Sequence, residues 1–282
     1  MADVQPSGLR NMLRAAAGAL PFVPRGSHLP DRTVTVDELP IDRANVAEYA
    51  EVTGLRYGDS VPLTYPFALA FPAVMSLVSG FDFPFAAMGS VHLENEITQH
   101  RPIRVTDTIG IAVHAENLRE HRKGLLVDVL TDISVGNEVA WHQVTTFLHQ
   151  QRTSLSGEPK PPPQKQPKLP APKAILRVSP GQIRRYASVG GDHNPIHTSS
   201  VGAKLFGFPT AIAHGMFSAA AVLANLEASL PDAVTYSVRF GKPLLLPASA
   251  GLYVDQGQNG WDISLRNIAK GYPYLTGTVR AL

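Results

Sequence analysis

Within six residues the chain places an acid, an amide and an imidazole: Asp192, Asn194 and His197. These groups can hold a water and move its protons. Histidine, with a reference pKa of about 6.5, serves as acid or base near neutrality. A carboxylate close by can hold the other side of the same water. Gly190, Gly191 and Pro195 supply the backbone turns that would make the three side chains converge. Seventeen residues after His197 comes His214-Gly215-Met216, which opens an apolar, alanine-rich stretch. A helix starting there offers unpaired N–H groups to a developing negative charge, and glycine lets a carbonyl approach the backbone of Gly215 closely. Addition of water across a polarised C=C bond needs these parts: a base, an acid, and donors for an enolate-like oxygen.

The elements that must position these groups occur twice. Ser179-Pro180 provides a cap and a first-turn proline for a helix through Tyr186 and Val189 to Gly190. Asp42 can cap an earlier helix through Tyr49 and Val52, closed by Gly54. Tyr49-Ala50-Glu51-Val52-Thr53-Gly54 lines up with Tyr186-Ala187-Ser188-Val189-Gly190-Gly191. Each half continues with a loop and an apolar helix, at residues 65–78 and 213–230. Each then turns β-rich: residues 105–114, 125–133 and 138–148 in the first, and 235–240, 250–255, 261–267 and 274–279 in the second. Period-two alternation with Gly136-Asn137 and Asn259-Gly260 at the turns predicts antiparallel hairpins. An antiparallel sheet wrapped around one long apolar helix accounts for both halves, since that helix must be buried on nearly all sides.

A proline-rich stretch over residues 154–173, interleaved with Lys and Gln, reads as an extended, semi-rigid linker. The expected organisation is therefore a leader at 1–30, a first unit at 31–153, the linker, and a second unit at 174–282. The leader reads as a frayed helix rather than an export signal, because Arg14, Gly18 and Pro21 break its apolar region. The segment Val23 to His28 reads as natural sequence. The halves differ at one place: Gly54 to Ser90 spans 36 residues and Gly191 to Ser237 spans 46. The extra length coincides with the Asp–Asn–His cluster, and the first half has no histidine at the matching place. Chemistry is expected from the second half alone.

The stretch Tyr-Ala-x-Val-x-Gly-Asp-x-Asn-Pro-x-His, followed by Phe-Gly-x-Pro-x-Ala-Ile-Ala-His-Gly-Met, resembles the hydratase 2 motif of MaoC-like (R)-specific enoyl hydratases. The likeness is dense over residues 179–230. The first half is similar to the degenerate unit of two-unit members through Val91 to Ile97 and His100-Arg101-Pro102-Ile103. Overall the chain is most similar to the two-hot-dog 3-hydroxyacyl-thioester dehydratases of mycobacteria. The resemblance implies an α+β double hot-dog and reversible syn hydration of a trans-2-enoyl thioester. It implies Asp192 and His197 as the catalytic pair, Asn194 as their polar companion, and Gly215 as oxyanion donor with His214 and Met216 beside it. It implies no cofactor, because the thioester is the electron sink. Gly190-Gly191 departs from the family's single small residue before Gly, which bears on the local turn only. The degenerate half of such enzymes makes room for the acyl tail. Pro72 would bend or break the helix at 66–78, which fits a wall for a long chain and equally a merely buried helix.

Other readings are narrower. His193, His197 and His214 lack a regular ligand spacing, so no metal is expected. Arg184, Arg185, Lys204, Arg239, Lys242, Arg266 and Lys270 are surface charges or partners for the phosphates of coenzyme A or an acyl carrier's phosphopantetheine. His92, Glu94 and Glu96 alternate as a strand would and read as a structural polar face. Trp141 and Trp261 read as core. A net charge of +2 argues against a nucleic-acid binder, and the absence of cysteine excludes disulfides and thiolate chemistry and fits a cytoplasmic protein. No run is long and apolar enough for a membrane span. The substrate partner is thus an acyl-CoA or acyl-carrier thioester, for a monomer or homodimer. A thioesterase or a non-catalytic acyl-thioester-binding subunit are the competing functions.

Overall fold

The structure, a computed structural model, describes residues 25–87, 89–159 and 169–282. Most of the expected leader and the middle of the expected linker lie outside the described residues. The first half contains β1 (Val34–Pro40), α1 (Arg43–Thr53), α2 (Tyr65–Val78), β2 (Ser90–Gln99), β3 (Thr108–His121), β4 (Gly124–Val135) and β5 (Glu138–Gln150). The second contains β6 (Ala174–Val178), α3 (Pro180–Gly190), α4 (Pro195–Thr198), α5 (Ser200–Leu205), α6 (Gly215–Leu223), β7 (Val234–Phe240), β8 (Ala248–Gly257), β9 (Gly260–Arg266) and β10 (Pro273–Ala281).

Local chemistry sets the helix ends. Asp42 Oδ1 accepts from the N–H groups of Ala44 at 2.9 Å and Asn45 at 3.3 Å, starting α1. Ser179 Oγ accepts from Gln182 N–H at 3.1 Å, with Pro180 in the first turn of α3. Caps of this kind stabilise a helix by about 0.5–2 kcal/mol each. Both helices end in a left-handed glycine of nearly the same geometry, Gly54 at φ 79° and Gly191 at φ 77°. The additional glycine is therefore harmless: Gly190 is the last helical residue and Gly191 makes the turn.

The strands form one antiparallel sheet in the order β1-β3-β4-β5-β2-β7-β10-β9-β8-β6. Its left part, read outward from the middle, is β2-β5-β4-β3-β1; its right part is β7-β10-β9-β8-β6. The same topology occurs twice, and the two copies meet where β2 pairs with β7, from Glu94↔Arg239 to Gln99↔Val234. Each copy curls around an apolar helix, α2 or α6, whose inward residues Leu77 and Phe217 are fully buried. This is the expected α+β double hot-dog.

Several elements depart from expectation. The helix α2 runs unbroken through Pro72. Proline removes one helical hydrogen bond, but burial of Ala70, Ala73, Val74 and Leu77 holds the helix, and tertiary packing outweighs local propensity. The helix α6 ends at Leu223 rather than reaching 230, because Asn225 N–H and Leu226 N–H bond three residues back and tighten the chain. The strands β1 and β6 were not foreseen; they are the two edges of the sheet, each paired on one side only. Ser154–Gly157 forms a 3-10 turn, closed by reciprocal bonds between Thr153 and Ser156. Arg25 Nη1 donates to the Gly80 carbonyl at 2.8 Å, so the described end of the Val23-to-His28 segment is built into the fold.

Candidate active site

The site begins where α3 stops. Gly191 turns the chain, and Asp192 Oδ1 then accepts from Asn194 N–H at 3.1 Å. Asn194 Oδ1 accepts from Ile196 N–H at 3.2 Å and so caps α4, with Pro195 in its first turn. Asn194, the expected polar companion, holds the carboxylate through its backbone N–H and starts the next helix with its side-chain oxygen. Asp192 Oδ2 is left facing two imidazoles, His197 Nε2 at 4.0 Å and His214 Nε2 at 3.8 Å.

His197 Nδ1 lies 2.9 Å from the Ile212 carbonyl oxygen. A carbonyl only accepts, so Nδ1 carries the proton and the lone pair of Nε2 points toward Asp192. The 4.0 Å gap is too long for a hydrogen bond. Two arms of about 2.8 Å meeting at roughly a right angle span such a gap, which is the geometry of one shared water. The His197 side chain is 11 % exposed and that of Asp192 28 %, so solvent reaches the pair. Burial holds the His197 pKa below the usual imidazole value, against the opposing pull of Asp192.

His214, expected beside the oxyanion donor Gly215, reaches the Asp192 turn with its side chain. Its Nε2 donates to the backbone carbonyl of Asp192 at 3.0 Å and so fixes the turn from behind. Burial pushes its pKa down to about 3, with His197 adding to the effect, so it is neutral near pH 7. Its ring lies 3.8 Å from that of His197 and 5.1 Å from that of Tyr186.

The first intrahelical bond of α6 runs from Ser218 N–H to the His214 carbonyl at 3.2 Å. The N–H groups of Gly215, Met216 and Phe217 precede it and have no helical acceptor. A Cβ added at Gly215 would sit 3.0 Å from the Phe240 ring, so packing rather than backbone strain requires glycine there. Met216 is 2 % exposed and its side chain belongs to the core. The first half keeps the backbone frame of this arrangement without the Asp–Asn–His turn. Ser60 bridges Arg104, and Val61 N–H donates to Ile103 O at 2.9 Å; Ile212 bridges Leu245, and Ala213 N–H donates to Leu244 O at 2.9 Å. By that match Pro62 and Leu63 stand where the second half has His214 and Gly215. On that match the spacing from Gly54 to Leu63 is 9 residues and from Gly191 to Gly215 it is 24, and the extra chain carries α4 and α5.

Among the described residues, Asp192, His197 and His214 are the one group of three ligand-type side chains that converges, with ligand atoms within 4.8 Å of one another. His193 is exposed and not part of it. His214 Nε2, its ring nitrogen facing the Asp192 carboxylate, is engaged by the Asp192 backbone carbonyl, which favours an acid–base pair over a three-ligand metal cage. Of the basic candidates, Arg185 pairs with Glu51 at 3.1 Å and Arg239 with Glu94 at 3.2 Å, while the Lys242 ammonium lies 4.2 Å from the Tyr272 ring centre. Trp141 is fully buried and donates to the Leu63 carbonyl at 3.0 Å.

Residues of the first half also reach the site, and spacing along the chain carries no sign of them. A Cβ at Gly191 would lie 3.8 Å from Phe71, and one at Gly190 would lie 3.9 Å from Ala68, both on α2. Gln182 Nε2 donates to the Val52 carbonyl at 2.8 Å, tying α3 to α1. His92 is not on the polar face with Glu94 and Glu96. A bulge shifts the β2–β5 register between His92↔Phe147 and Glu94↔Thr146, so His92 turns inward while Glu94 meets Arg239 and Glu96 meets Ser237.

The profile of the MaoC like domain matches residues 159–269. The chain is 77 % identical over 278 residues to 3-hydroxyacyl-thioester dehydratase X of Mycobacterium tuberculosis, covering 99 % of each chain. The crystal structure of HtdX from Mycobacterium tuberculosis superposes with a TM-score of 0.82 at 75 % identity, covering 88 % of this chain and all of that one. A shorter likeness, 44 % identity over 71 residues, links 25 % of this chain to 4 % of the fatty acid synthase subunit beta of Saccharomyces cerevisiae.

Proposed function

Since the chain belongs to the MaoC-like family of 3-hydroxyacyl-thioester dehydratases, we propose that Asp192 and His197 carry its chemistry from the second half. The protein is a hydro-lyase of fatty-acid metabolism. It interconverts a trans-2-enoyl thioester and water with the (R)-3-hydroxyacyl thioester. The observation that carries the assignment of roles is the 4.0 Å separation of Asp192 Oδ2 and His197 Nε2, with His197 Nδ1 tied to Ile212 O.

In the hydration direction, the carboxylate of Asp192 and the lone pair of His197 hold one water. His197 takes a proton as the water oxygen bonds to the β-carbon, and the imidazolium formed is stabilised by Asp192. Electron density moves into the thioester carbonyl, whose oxygen receives the Gly215 N–H; one such donor is typically worth roughly 10²–10³ in rate. His197 then returns the proton to the α-carbon from the same face, which makes the addition syn. The thioester is the electron sink, so no step requires a cofactor.

The acyl tail runs into the first half along α2, where Ala68 and Phe71 lie next to the Gly190–Gly191 turn that precedes Asp192. The carrier is coenzyme A or an acyl carrier protein, and a cytoplasmic location accords with the cysteine-free composition. No helix among the described residues is long and apolar enough to cross a membrane. Two hot-dogs in one chain already make the β2–β7 seam that a dimer of single units would need. The test is loss of the conjugated enoyl absorbance of crotonyl-CoA, read beside a free-thiol assay. Hydration without thiol release is expected. Thiol release without hydration would overturn the reading in favour of a thioesterase.

A further inference from the structure

His92 comes from the first half, yet it faces the chemistry of the second. Its ring lies 4.8 Å from that of Phe240, edge to face, 5.4 Å from Phe147 and 6.0 Å from Phe67. Phe240 in turn covers Gly215 closely enough that a Cβ there would touch it. Three aromatic rings thus form a box around one imidazole, next to the proposed oxyanion donor. The carboxylate of Asp192 is near enough to act electrostatically on His92. The bulge after His92 is what delivers it, since a regular strand would send this side chain outward with Glu94.

The imidazole is unsatisfied where it matters. Its Nε2 is buried and closes no hydrogen bond of normal geometry, and the Asn95 Nδ2 is likewise buried and unpaired, although His92 as a whole keeps some accessible surface. Asn95 and the Glu94 backbone interact with the ring, and burial still drives its pKa down to about 4, so it is neutral near pH 7. A buried polar atom left unpaired costs stability, because it gives up its hydrogen bond to water and gains none. An apolar side chain in an aromatic box would carry no such cost. Native proteins keep unpaired groups of this kind where a ligand or an ordered water completes them.

We propose that His92 is a substrate-positioning residue contributed by the degenerate half, its Nε2 reserved for a hydrogen-bonding group at the reacting end of the bound thioester. This rests on the thioester reading above and extends it: the first half does more than house the tail. It also supplies a polar contact that the second half lacks. The direction of the conflict between stability and function sets the test. In His92→Phe, the unpaired nitrogen is gone, so Tm is expected to stay equal or rise while kcat/KM for enoyl-CoA hydration falls at least tenfold. His92→Asn, which keeps a polar group, is expected to recover part of that loss. A kcat/KM within twofold of the parent in His92→Phe would overturn the proposal. So would a lowered Tm accompanied by unchanged kcat/KM per folded molecule.

A measurement on the unsubstituted protein covers the case in which the variant does not fold. With ¹⁵N-labelled histidines, saturated decanoyl-CoA is added as an unreactive probe. The ring resonances of both His197 and His92 are expected to shift. A shift of His197 with none at His92 would defeat this proposal and leave the thioester reading standing. No shift at either would count against the thioester reading itself.

Discussion

The ring of Phe240 lies against Gly215 so closely that the smallest added side chain, a single Cβ, would stand 3.0 Å from it. The strand β7 thereby sets how near anything can come to the N-terminus of α6, where the oxyanion is proposed to sit. Gly215→Ala is expected to destabilise the fold by about 1–3 kcal/mol, the usual range for overpacking a tight site, and to lower kcat. Pairing it with Phe240→Leu should restore Tm by relieving the clash. Thermal melts of the single and double variants decide the matter, and no recovery in the double variant would refute the steric account.

Asp192→Asn and His197→Gln should each lower kcat by roughly 10²–10⁴, the span usual for general acid–base groups, with little change in Tm. Both side chains are partly accessible and neither anchors the core. Steady-state hydration of crotonyl-CoA, read against thermal melts, is the measurement. Parental turnover in both variants would mean that the roles are misassigned.

His214 donates to the Asp192 backbone at 3.0 Å rather than to any reacting atom. His214→Phe is therefore expected to lower kcat more than tenfold while KM moves little, because the carboxylate loses its placement and the tail chamber does not. A purely raised KM would point instead to substrate contact through His214.

The pH dependence of the rate follows from the depressed His197 pKa. The base form is the neutral imidazole, so hydration is lost as pH falls through that value. The acidic limb of kcat/KM is expected below about 6.5, the unperturbed histidine value. A limb at or above that value would contradict a buried His197 acting as base.

Stability should fall in acid for a related reason. In the unfolded chain His214 takes up its proton near pH 6.5, whereas folded it resists until about 3. Between those values the unfolded state binds more protons, so stability is complete above the unfolded pKa and drains away as pH drops toward the folded one. His92, with a folded pKa of about 4, acts in the same sense. Denaturant melts between pH 7 and pH 5 should show a shallower loss in His214→Phe than in the parent chain. An identical slope would mean that His214 is protonated in the folded state.

Much of this architecture was legible because its signals are local. Asp42 and Ser179 mark helix starts, Gly54 and Gly191 mark their ends, and the Tyr49 and Tyr186 segments announce a duplication. The turn from Asp192 to His197 is likewise one short stretch, so its residue types and spacing are legible in order along the chain. The edge strands β1 and β6 escaped because a short strand paired on one side needs little alternation. Pro72 misled because its local cost is real, while the burial that overrides it comes from strands far along the chain.

What the amino-acid order determined by itself, then, was the double hot-dog, the family's reaction class, and the one short turn that holds an acid, an amide and an imidazole. Only the tertiary structure decided how they are surrounded. It set the His214 ring against the backbone carbonyl of Asp192. It required glycine at 215 through Phe240, and it turned His92 inward through a one-residue bulge. Each of these depends on atoms brought together from separate segments at distances of 3–5 Å, and such proximity leaves no periodicity in either segment alone.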